Sequence, residues 1–475
     1  MKKIFYLITA CVVFSTTLSC GNDFLDEPKP TDQVTDATVY GSVEGATAYM
    51  AGIIRRTRGQ YTSTDSGNLG SMFFARTVKG NDIIQANNWF GFDYDNSNRE
   101  PTYRRTIFSW QFPYDMIGKL NVFIKGVTDS GKLTSSEKDY LLGQAYAFRG
   151  FLYFQLSLEF QHTYTYDKSL PAPPIYTDIT TEGKPMSTQE EMYKLILDDL
   201  NRAITISSSS RIDKSYFNKE SAAAVLAQVY QVMGNWTEAS KYAKIAYGNN
   251  VTSALDAQSY KNGFNDMNAS KEWLLCSPQS EDQSAYYWTA PFAFIDHTTT
   301  SYYATYINSD FVSKFSTTDV RNIFFKSTTI TNPADFRIYT TRKFKFNFSS
   351  DVPLIRTAEA ILIDAEALVR TPGKEAEGHN LLYALQKNRD ANAVKSTNTG
   401  AALIEEILLE RRKELYAENG VEWFDAKRLR RGITRTGNHR IFKNLSADDK
   451  RFFLKIPQRE IDANENIDDS VNKDR

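Results

Sequence analysis

Residues 219–247 hold the pattern that most limits the folds open to this chain, because they predict two short helices joined by a tight turn. Gly234 breaks the apolar period between the helices, and Trp236 follows it, where its ring can fill the gap beside the turn. Small side chains at the positions that face the partner helix allow a close approach: Ala227, Ala239 and Ala246. The stretch therefore predicts one unit of a stack of paired helices.

A longer pair of helical patterns precedes this hairpin. Apolar residues recur every three or four positions over 137–160 and over 188–206, and a proline-containing loop separates the two segments. Both pairs have spacings typical of the tetratricopeptide repeat, the longer one with an inserted loop. Further helical patterns follow Pro353: 354–369, 374–390, 401–419 and 423–431. The predicted fold class is mainly α, with about four helix pairs forming a scaffold.

Two other stretches, 59–105 and 250–350, hold no helical period for long and predict a loop-rich lobe with short strands. The chain contains 27 Tyr, 30 Phe and 6 Trp, so it can bury a large core and is not disordered over most of its length. We expect one domain over 36–475, with its scaffold mainly at 114–250 and 353–431.

The N-terminus reads as an export signal. A basic start is followed by an apolar run at 4–14, too short to span a bilayer, so residues 1–19 are predicted to be a signal peptide. The sequence LSCG at 18–21 resembles a bacterial lipobox, in which cleavage before Cys20 leaves its thiol to carry a lipid. An ordinary signal peptide with a chance cysteine is the alternative. The acidic, proline-containing residues 20–35 are predicted to tether the anchor to the fold.

Charge and cysteine content exclude several classes of protein. Lys plus Arg number 56 and Asp plus Glu 57, so there is no basic surplus to bind nucleic acid. The hydrophobic content of 41% suits a globular protein, not a multi-span membrane protein. Because Cys11 would leave with the signal peptide and Cys20 would be lipidated, Cys276 has no disulfide partner and is predicted to be a buried small hydrophobe.

Signals of catalysis are weak. Residues 126–132 have the glycine and lysine spacing of a phosphate-binding loop, but Leu133 stands where the magnesium-binding Ser or Thr belongs, and 114–124 reads as a helix instead of the required strand. The histidines lie far apart, without metal-ligand spacing: His162, His297, His379 and His439. Nothing marks a particular carboxylate pair for glycoside hydrolysis, although the sequence alone leaves that reading open. We predict no catalytic residue, no metal and no cofactor.

A dense block of charge, ERRKEL, occupies residues 410–415. One reading is an anion-binding site. The favoured reading is a helix whose long side chains form i,i+4 pairs and bridges to neighbouring helices, with Leu408 and Leu415 facing the core.

Several of these blocks together resemble the SusD/RagB family of outer-membrane nutrient-uptake lipoproteins of Bacteroidetes. The ERRKEL block followed by Trp423-Phe424-Asp425 is the most specific of them. The other matching stretches are 141–160, 221–247, 354–369 with its AEA triplet at 365–367, 406–431, and the closing KIPQREI at 455–461 with Asn464. The sequence departs from the family at 419–422, where NGVE replaces the more usual EGHR, and in a longer loop after Phe160.

The resemblance implies a scaffold of repeat-like helix pairs and a loop-rich lobe that holds the ligand. It implies a surface-exposed outer-membrane lipoprotein that acts as a lid over a SusC-like TonB-dependent barrel transporter. Members bind glycans, or oligopeptides in some branches, and carry out no chemistry themselves. A peptide-binding lid and a surface glycoside hydrolase are therefore the alternatives to glycan capture.

A glycan site needs exposed aromatic platforms beside hydrogen-bonding side chains, because sugars present flat C–H faces and hydroxyl groups. Two loop segments fit this requirement, 82–95 and 281–303. The candidate ligand-binding residues are Trp89 and Trp288 as platforms, Tyr287 and Tyr286 as further aromatics, and Asn88, Asn87 and Asp82 as hydroxyl partners. For each aromatic residue the alternatives are burial in the lobe and contact with the transporter. A peptide site would favour pockets and strand edges instead.

Overall fold

A computed structural model describes residues 36–58, 64–87, 89–280, 292–298 and 302–475 of the chain. Several of the predictions above lie outside these residues. They are the signal peptide at 1–19, the tether at 20–35 with Cys20, and the site candidates Asn88, Tyr286, Tyr287 and Trp288.

The described part of the chain is mainly helical, as the sequence predicts. The helices of eight or more residues are α1 (Val43–Arg55), α2 (Leu69–Thr77), α3 (Arg104–Asp129), α4 (Ser135–Phe160), α5 (Gln189–Ile206), α6 (Lys219–Met233), α7 (Trp236–Tyr247), α8 (Thr357–Arg370), α9 (Glu375–Arg389), α10 (Gly400–Leu415) and α11 (Val421–Arg428). Shorter helices of four to six residues occur at Asp36–Val39, Gly91–Tyr94, Val251–Ala254, Phe292–Ile295, Ser309–Val312 and Gln458–Ala463.

The strands are short and pair two by two. They are β1 (Ile83–Gln85), β2 (Pro171–Ala172), β3 (Ser187–Thr188), β4 (Trp273–Ser277), β5 (Thr305–Ile307), β6 (Phe324–Lys326), β7 (Tyr339–Thr341) and β8 (Val352–Arg356). The antiparallel pairs are β1–β5, β2–β3, β4–β8 and β6–β7.

Helices that are neighbours in sequence pack against each other. α3 packs on α4, α4 on α5, α6 on α7, and α8 on α9, while α7 also contacts α8 and so joins the two halves of the scaffold. The hairpin predicted at 219–247 is present. α6 ends at Gly234 and α7 at Gly248, both in the left-handed conformation that glycine adopts without steric strain.

One predicted helix begins later than expected. The helical pattern at 354–369 corresponds to α8, which starts at Thr357, while the preceding residues belong to β8. In β8, Ile355 pairs with Leu275 and Pro353 with Cys276 of β4. Apolar residues are required both in a buried strand and on a helix, so periodicity alone does not separate the two here. Cys276 is buried in β4, as predicted.

Two hydrophobic cores hold the described residues together. The larger lies among the helices of the scaffold and includes the apolar residues of α4, which is buried on every side from Leu141 to Phe160. The second lies in the loop-rich lobe and is dominated by aromatic side chains: Phe74, Phe90, Tyr94, Tyr260, Trp273, Phe292, Phe294, Phe311, Phe344 and Tyr416. Much of the aromatic content of the lobe therefore forms a core of its own, which leaves a smaller set of exposed rings.

The charged block at 410–415 lies in α10 and bridges to other elements. Arg411 contacts Asp425 of α11, Arg412 contacts Asp82, and Glu414 accepts hydrogen bonds from arginines of three other segments. Leu408 and Leu415 are buried. The predicted bridges to neighbouring elements are present. The ion pair within the block joins Lys413 to Glu410 at a spacing of three residues, not the four that the sequence predicts.

Candidate functional site

The β1–β5 pair joins the two loop segments that the sequence singles out. Gln85 lies opposite Thr305, whose hydroxyl donates a hydrogen bond to Oε1 of Gln85 over 2.6 Å. The amide of Ala86 donates to the carbonyl of Ala304 at 2.8 Å and extends the ladder. The loop that follows β1 and the residues that precede β5 therefore emerge at the same end of this ladder.

Trp89 and Phe90 take opposite environments in the loop after β1. Phe90 is buried edge-to-face against Phe74 and Phe294, with ring centroids 4.8 and 5.1 Å away. Trp89 is 39% exposed and has a φ of 42°, in the left-handed region that non-glycine residues rarely adopt. Tyr303, at the end of the other segment, is 44% exposed with a φ of 49°. Strained backbone of this kind is typical of functional loops that the surrounding structure holds in place.

A fixed cation lies beside the Trp89 ring. The guanidinium carbon of Arg104 is 5.9 Å from the ring centroid, within the range of a cation–π contact. Arg104 is itself held by two hydrogen bonds of 2.9 Å to the carboxylate of buried Asp65. Because a bidentate pair fixes the guanidinium plane, Arg104 supports the indole in one orientation.

Polar contacts beneath the loop hold it rigid. Buried Asp93 accepts hydrogen bonds from Arg105 at 3.1 and 3.2 Å. The hydroxyl of Tyr94 lies 2.7 Å from Nδ1 of His439, whose Nε2 lies 2.8 Å from the carbonyl of Asn81. A carbonyl only accepts, so Nε2 carries the proton and Tyr94 donates to Nδ1. Burial lowers the pKa of His439 to about 4, which keeps the imidazole neutral.

A third segment, Gly437 to Lys443, completes this surface and is missed by the sequence analysis. Arg440 donates from Nε to the carbonyl of Gln85 at 2.6 Å, and Phe442 next to it is 57% exposed. The segment is some 350 residues from β1 along the chain, as the separation of 355 between Arg440 and Gln85 shows. An exposed phenylalanine in a polar stretch was its only sequence signal.

Two of the predicted hydroxyl partners are described, and their surroundings differ. Asn87 is exposed and precedes Trp89 by two residues. Asp82 is buried, and Nε of Arg412 donates to its carboxylate over 2.9 Å, so it anchors the start of β1. Glu422 supports the same turn by accepting from the amides of Asn81 and Asp82 at 2.6 and 3.1 Å. Glu422 belongs to the NGVE stretch in which this chain departs from the family pattern.

The described residues contain no group of His, Cys, Asp and Glu side chains arranged to hold a metal ion. No helix among them is long and apolar enough to cross a membrane. We call the surface formed by the loop after β1, Tyr303 and the 437–443 segment the platform surface. It is built from aromatic and amide groups over a rigid, ion-paired base.

A helical-repeat scaffold with an aromatic, loop-rich lobe defines the class to which this protein belongs. Residues 23–231 match a SusD-like family model described as starch-binding and associating with the outer membrane, and residues 260–472 match the SusD family model. The two matches together span most of the chain, so the chain belongs to the SusD family, and the resemblance seen in the sequence is confirmed.

Solved structures with the same fold include a SusD-like carbohydrate binding protein from Bacteroides vulgatus, 25% identical with a TM-score of 0.82 over 90% of this chain and 98% of that one. A SusD superfamily protein from Bacteroides thetaiotaomicron is 23% identical, with a TM-score of 0.79 over 90% and 99% of the two chains. A laminarin binding SusD-like protein is 17% identical, with a TM-score of 0.67 over 89% and 98%. A search of curated proteins found no match.

Proposed function

We propose that this protein is a cell-surface lipoprotein of the outer membrane that captures an oligosaccharide or polysaccharide. It then serves as the lid of a SusC-like TonB-dependent barrel transporter. The observation that carries the proposal is the exposed indole of Trp89, held on a rigid loop beside Asn87. Membership of the SusD family and the fold shared with a SusD-like carbohydrate binding protein support it.

The platform surface suits recognition by stacking and hydrogen bonding. A sugar ring laid on Trp89 would bury its C–H face, while the Asn87 amide offers both a donor and an acceptor to hydroxyl groups. Phe90 anchors the loop in the lobe and Arg104 lies against the indole before the ligand arrives, so little conformational freedom is lost on binding. Trp288, Tyr286, Tyr287 and Asn88 remain proposed contributors from outside the described residues.

The carboxylates of the platform loop favour binding over hydrolysis. Asp82 is bound by Arg412 and Asp93 by Arg105, and Asp95 lies 3.7 Å from Arg440. A general acid must reach the glycosidic oxygen, and Asp82 and Asp93 are buried beneath the loop on which the sugar would lie. We therefore propose a binding protein without catalytic activity.

Affinity electrophoresis in gels that contain starch, laminarin or xylan tests the platform. We expect the wild-type protein to be retarded by at least one polysaccharide and Trp89→Ala to lose about tenfold or more in affinity, as for an aromatic anchor. Tyr166→Ala is the matched control, because Tyr166 is 40% exposed and packs on His162 and Arg430, outside the platform surface. Equal retardation of Trp89→Ala and wild type would reject the platform.

The same preparations test the alternatives. Release of reducing sugar from a bound polysaccharide would contradict the proposed lack of catalysis. Binding of an oligopeptide pool without retardation by any polysaccharide would favour the peptide-binding lid.

The proposed anchor and partner need separate experiments in cells. Cys20→Ser should release the protein from the outer-membrane fraction, because the thiol that would carry the lipid is gone. A barrel transporter encoded beside this chain should co-purify with the wild-type protein in mild detergent. Membrane retention of Cys20→Ser would overturn the lipoprotein assignment, and absence of the barrel would overturn the lid assignment.

A further inference from the structure

A second concave region lies on the scaffold, away from the platform surface. One wall is α3 from Trp110 to Val122, the other is the segment 176–183, and Glu460 and Asn464 close one end. The cleft has a volume of about 730 Å³, within the range of small-molecule sites. Gly118, on the α3 wall, lies fourteen residues after Arg104, which places it about 21 Å along the helix axis from the residue that supports Trp89.

Hydrogen bonds between α3 and the facing loop fix the distance between the two walls. Tyr114 donates to the carbonyl of Pro174 at 2.6 Å, and Asn121 donates to the carbonyl of Tyr176 at 3.0 Å. At the closed end, Trp110 donates from Nε1 to Glu460 over 3.1 Å. The cleft is therefore formed before any ligand arrives, which reduces the entropy lost on binding.

The lining combines aromatic and hydrogen-bonding groups. The rings of Trp110, Tyr114 and Tyr176 form a continuous row, with successive centroids 5.1 and 5.7 Å apart. The side chains of Gln111 and Glu182 also line the cleft, and each has no hydrogen-bond partner in the described part of the chain. Each wall thus carries both an aromatic ring and a free polar group, which match the faces and hydroxyls of a sugar.

Charge in the cleft restricts the kind of sugar. Its lining includes the carboxylates of Asp178, Glu182 and Glu460 and, among the described residues, no lysine or arginine. Asp115, a further acidic residue of the lining, is already paired with Arg56 at 3.2 Å. Lys184 lies against the Tyr176 ring, with Nζ 5.5 Å from its centroid, but the lining itself is acidic and would repel an anionic glycan, so an uncharged ligand fits best.

Gly118 provides the space at the centre of the cleft. It lies in the middle of the 26-residue helix α3, where glycine is less favourable than alanine. No heavy atom lies within 4 Å of the position that a Cβ would take, so close packing does not explain the glycine. Any larger side chain would project into open space along the wall of the cleft.

We propose that this cleft is a second binding site, separate from the platform surface, for a short uncharged oligosaccharide. This proposal goes beyond the proposed function, because it assigns a site on the scaffold. The two proposals share only the class of ligand. The two sites are changed by different substitutions, so each proposal can fail independently.

Titration of Trp89→Ala protein with uncharged trisaccharides tests the cleft apart from the platform. The probes are maltotriose, laminaritriose, cellotriose and xylotriose, with calorimetry and saturation-transfer NMR as readouts. We expect at least one probe to bind this variant, and Gly118→Leu added to it to weaken that binding at least tenfold. Leucine has a higher helix propensity than glycine, so α3 should stay folded.

Gly52→Leu in the same background is the matched control. Gly52 is an exposed glycine within α1, with no heavy atom within 4 Å of its Cβ position, and it does not line the cleft. Binding that survives Gly52→Leu but not Gly118→Leu supports the cleft site. The proposal is overturned if no probe binds the Trp89→Ala protein, or if Gly118→Leu and Gly52→Leu bind alike.

Discussion

Glu414 and Arg356 form an ion pair in which neither side chain is exposed, with Nη1 of Arg356 donating to Oε1 of Glu414 over 2.9 Å. Arg321 and Arg389 donate to the same carboxylate at 3.0 and 2.9 Å. Burial alone would raise the pKa of Glu414, but the three arginines hold it well below its usual range. One carboxylate of α10 therefore joins β8, α9 and the lobe segment before β6.

Glu414→Gln should destabilise the fold by about 3–5 kcal/mol, because three buried guanidinium groups lose a negatively charged partner. Urea denaturation at neutral pH measures the loss. Glu405→Gln in the same helix is the control, since Glu405 pairs with Arg431 on the exposed surface and such pairs add little. Similar midpoints for the two variants would show that the buried network adds no more than a surface pair.

This network also shows what the sequence can predict. The ERRKEL block indicates a helix whose charges bridge to neighbours, and the structure agrees. The partners Arg321, Arg356 and Arg389 are not predictable, because each comes from a distant segment with its own local pattern. Local spacing identifies the elements, whereas long-range pairing depends on the packing of the whole domain.

Phe90→Ala should destabilise the protein by about 3–5 kcal/mol, since it removes a buried ring that packs on Phe74 and Phe294. It should also weaken polysaccharide binding although Trp89 is kept, because the loop loses its anchor. Thermal unfolding and affinity electrophoresis measure the two effects. Phe92→Ala, which truncates a ring that is 64% exposed, should leave the melting temperature nearly unchanged. If Phe90→Ala binds polysaccharide as tightly as the wild type, the packing of Phe90 is not needed to hold the platform.

The platform loop is also where sequence reasoning succeeds least. The sequence identifies the segment 82–95 as polar and aromatic, and the structure joins it to the residues before β5. The sequence does not show that Asp82 is buried under Arg412 while Asn87 is exposed, because both are polar residues of the same segment. Helix α2 is missed for a related reason. Its residues are buried on every side, so no amphipathic period marks it.

His439 should make the protein less stable as the pH drops from about 6.5 to about 4, whereas Glu422, whose pKa burial raises to about 7, acts in the opposite direction. In the unfolded chain His439 takes up a proton near its ordinary pKa of about 6.5, whereas burial lowers the folded pKa to about 4. Within this window the imidazole binds more protons in the unfolded state, so this group lowers the free energy of unfolding as the pH falls, by up to about 1.4 kcal/mol per pH unit. His162, with a pKa also lowered to about 4 by burial, adds to the effect.

Urea denaturation at pH 7, 6 and 5 checks this dependence. His439→Gln should reduce the loss of stability on acidification, because it removes one of the histidines whose pKa burial lowers. His379→Gln should change the slope less, since His379 is only partly buried at a helix surface. A slope that His439→Gln leaves unaltered would mean that protonation of this imidazole does not oppose folding.

Two glycine-to-alanine substitutions should act in opposite directions. Gly234 ends α6 with a φ of 71° and has no heavy atom within 4 Å of its Cβ position, so alanine there is opposed only by the left-handed backbone, at about 1 kcal/mol. Gly118 lies within α3 with equally open surroundings, so alanine there should stabilise the protein by about 0.5–1 kcal/mol. Calorimetric melting of both variants measures the difference. A lower melting temperature for Gly118→Ala would mean that the wall of the cleft has no room for a methyl group, against the geometry on which the second site rests.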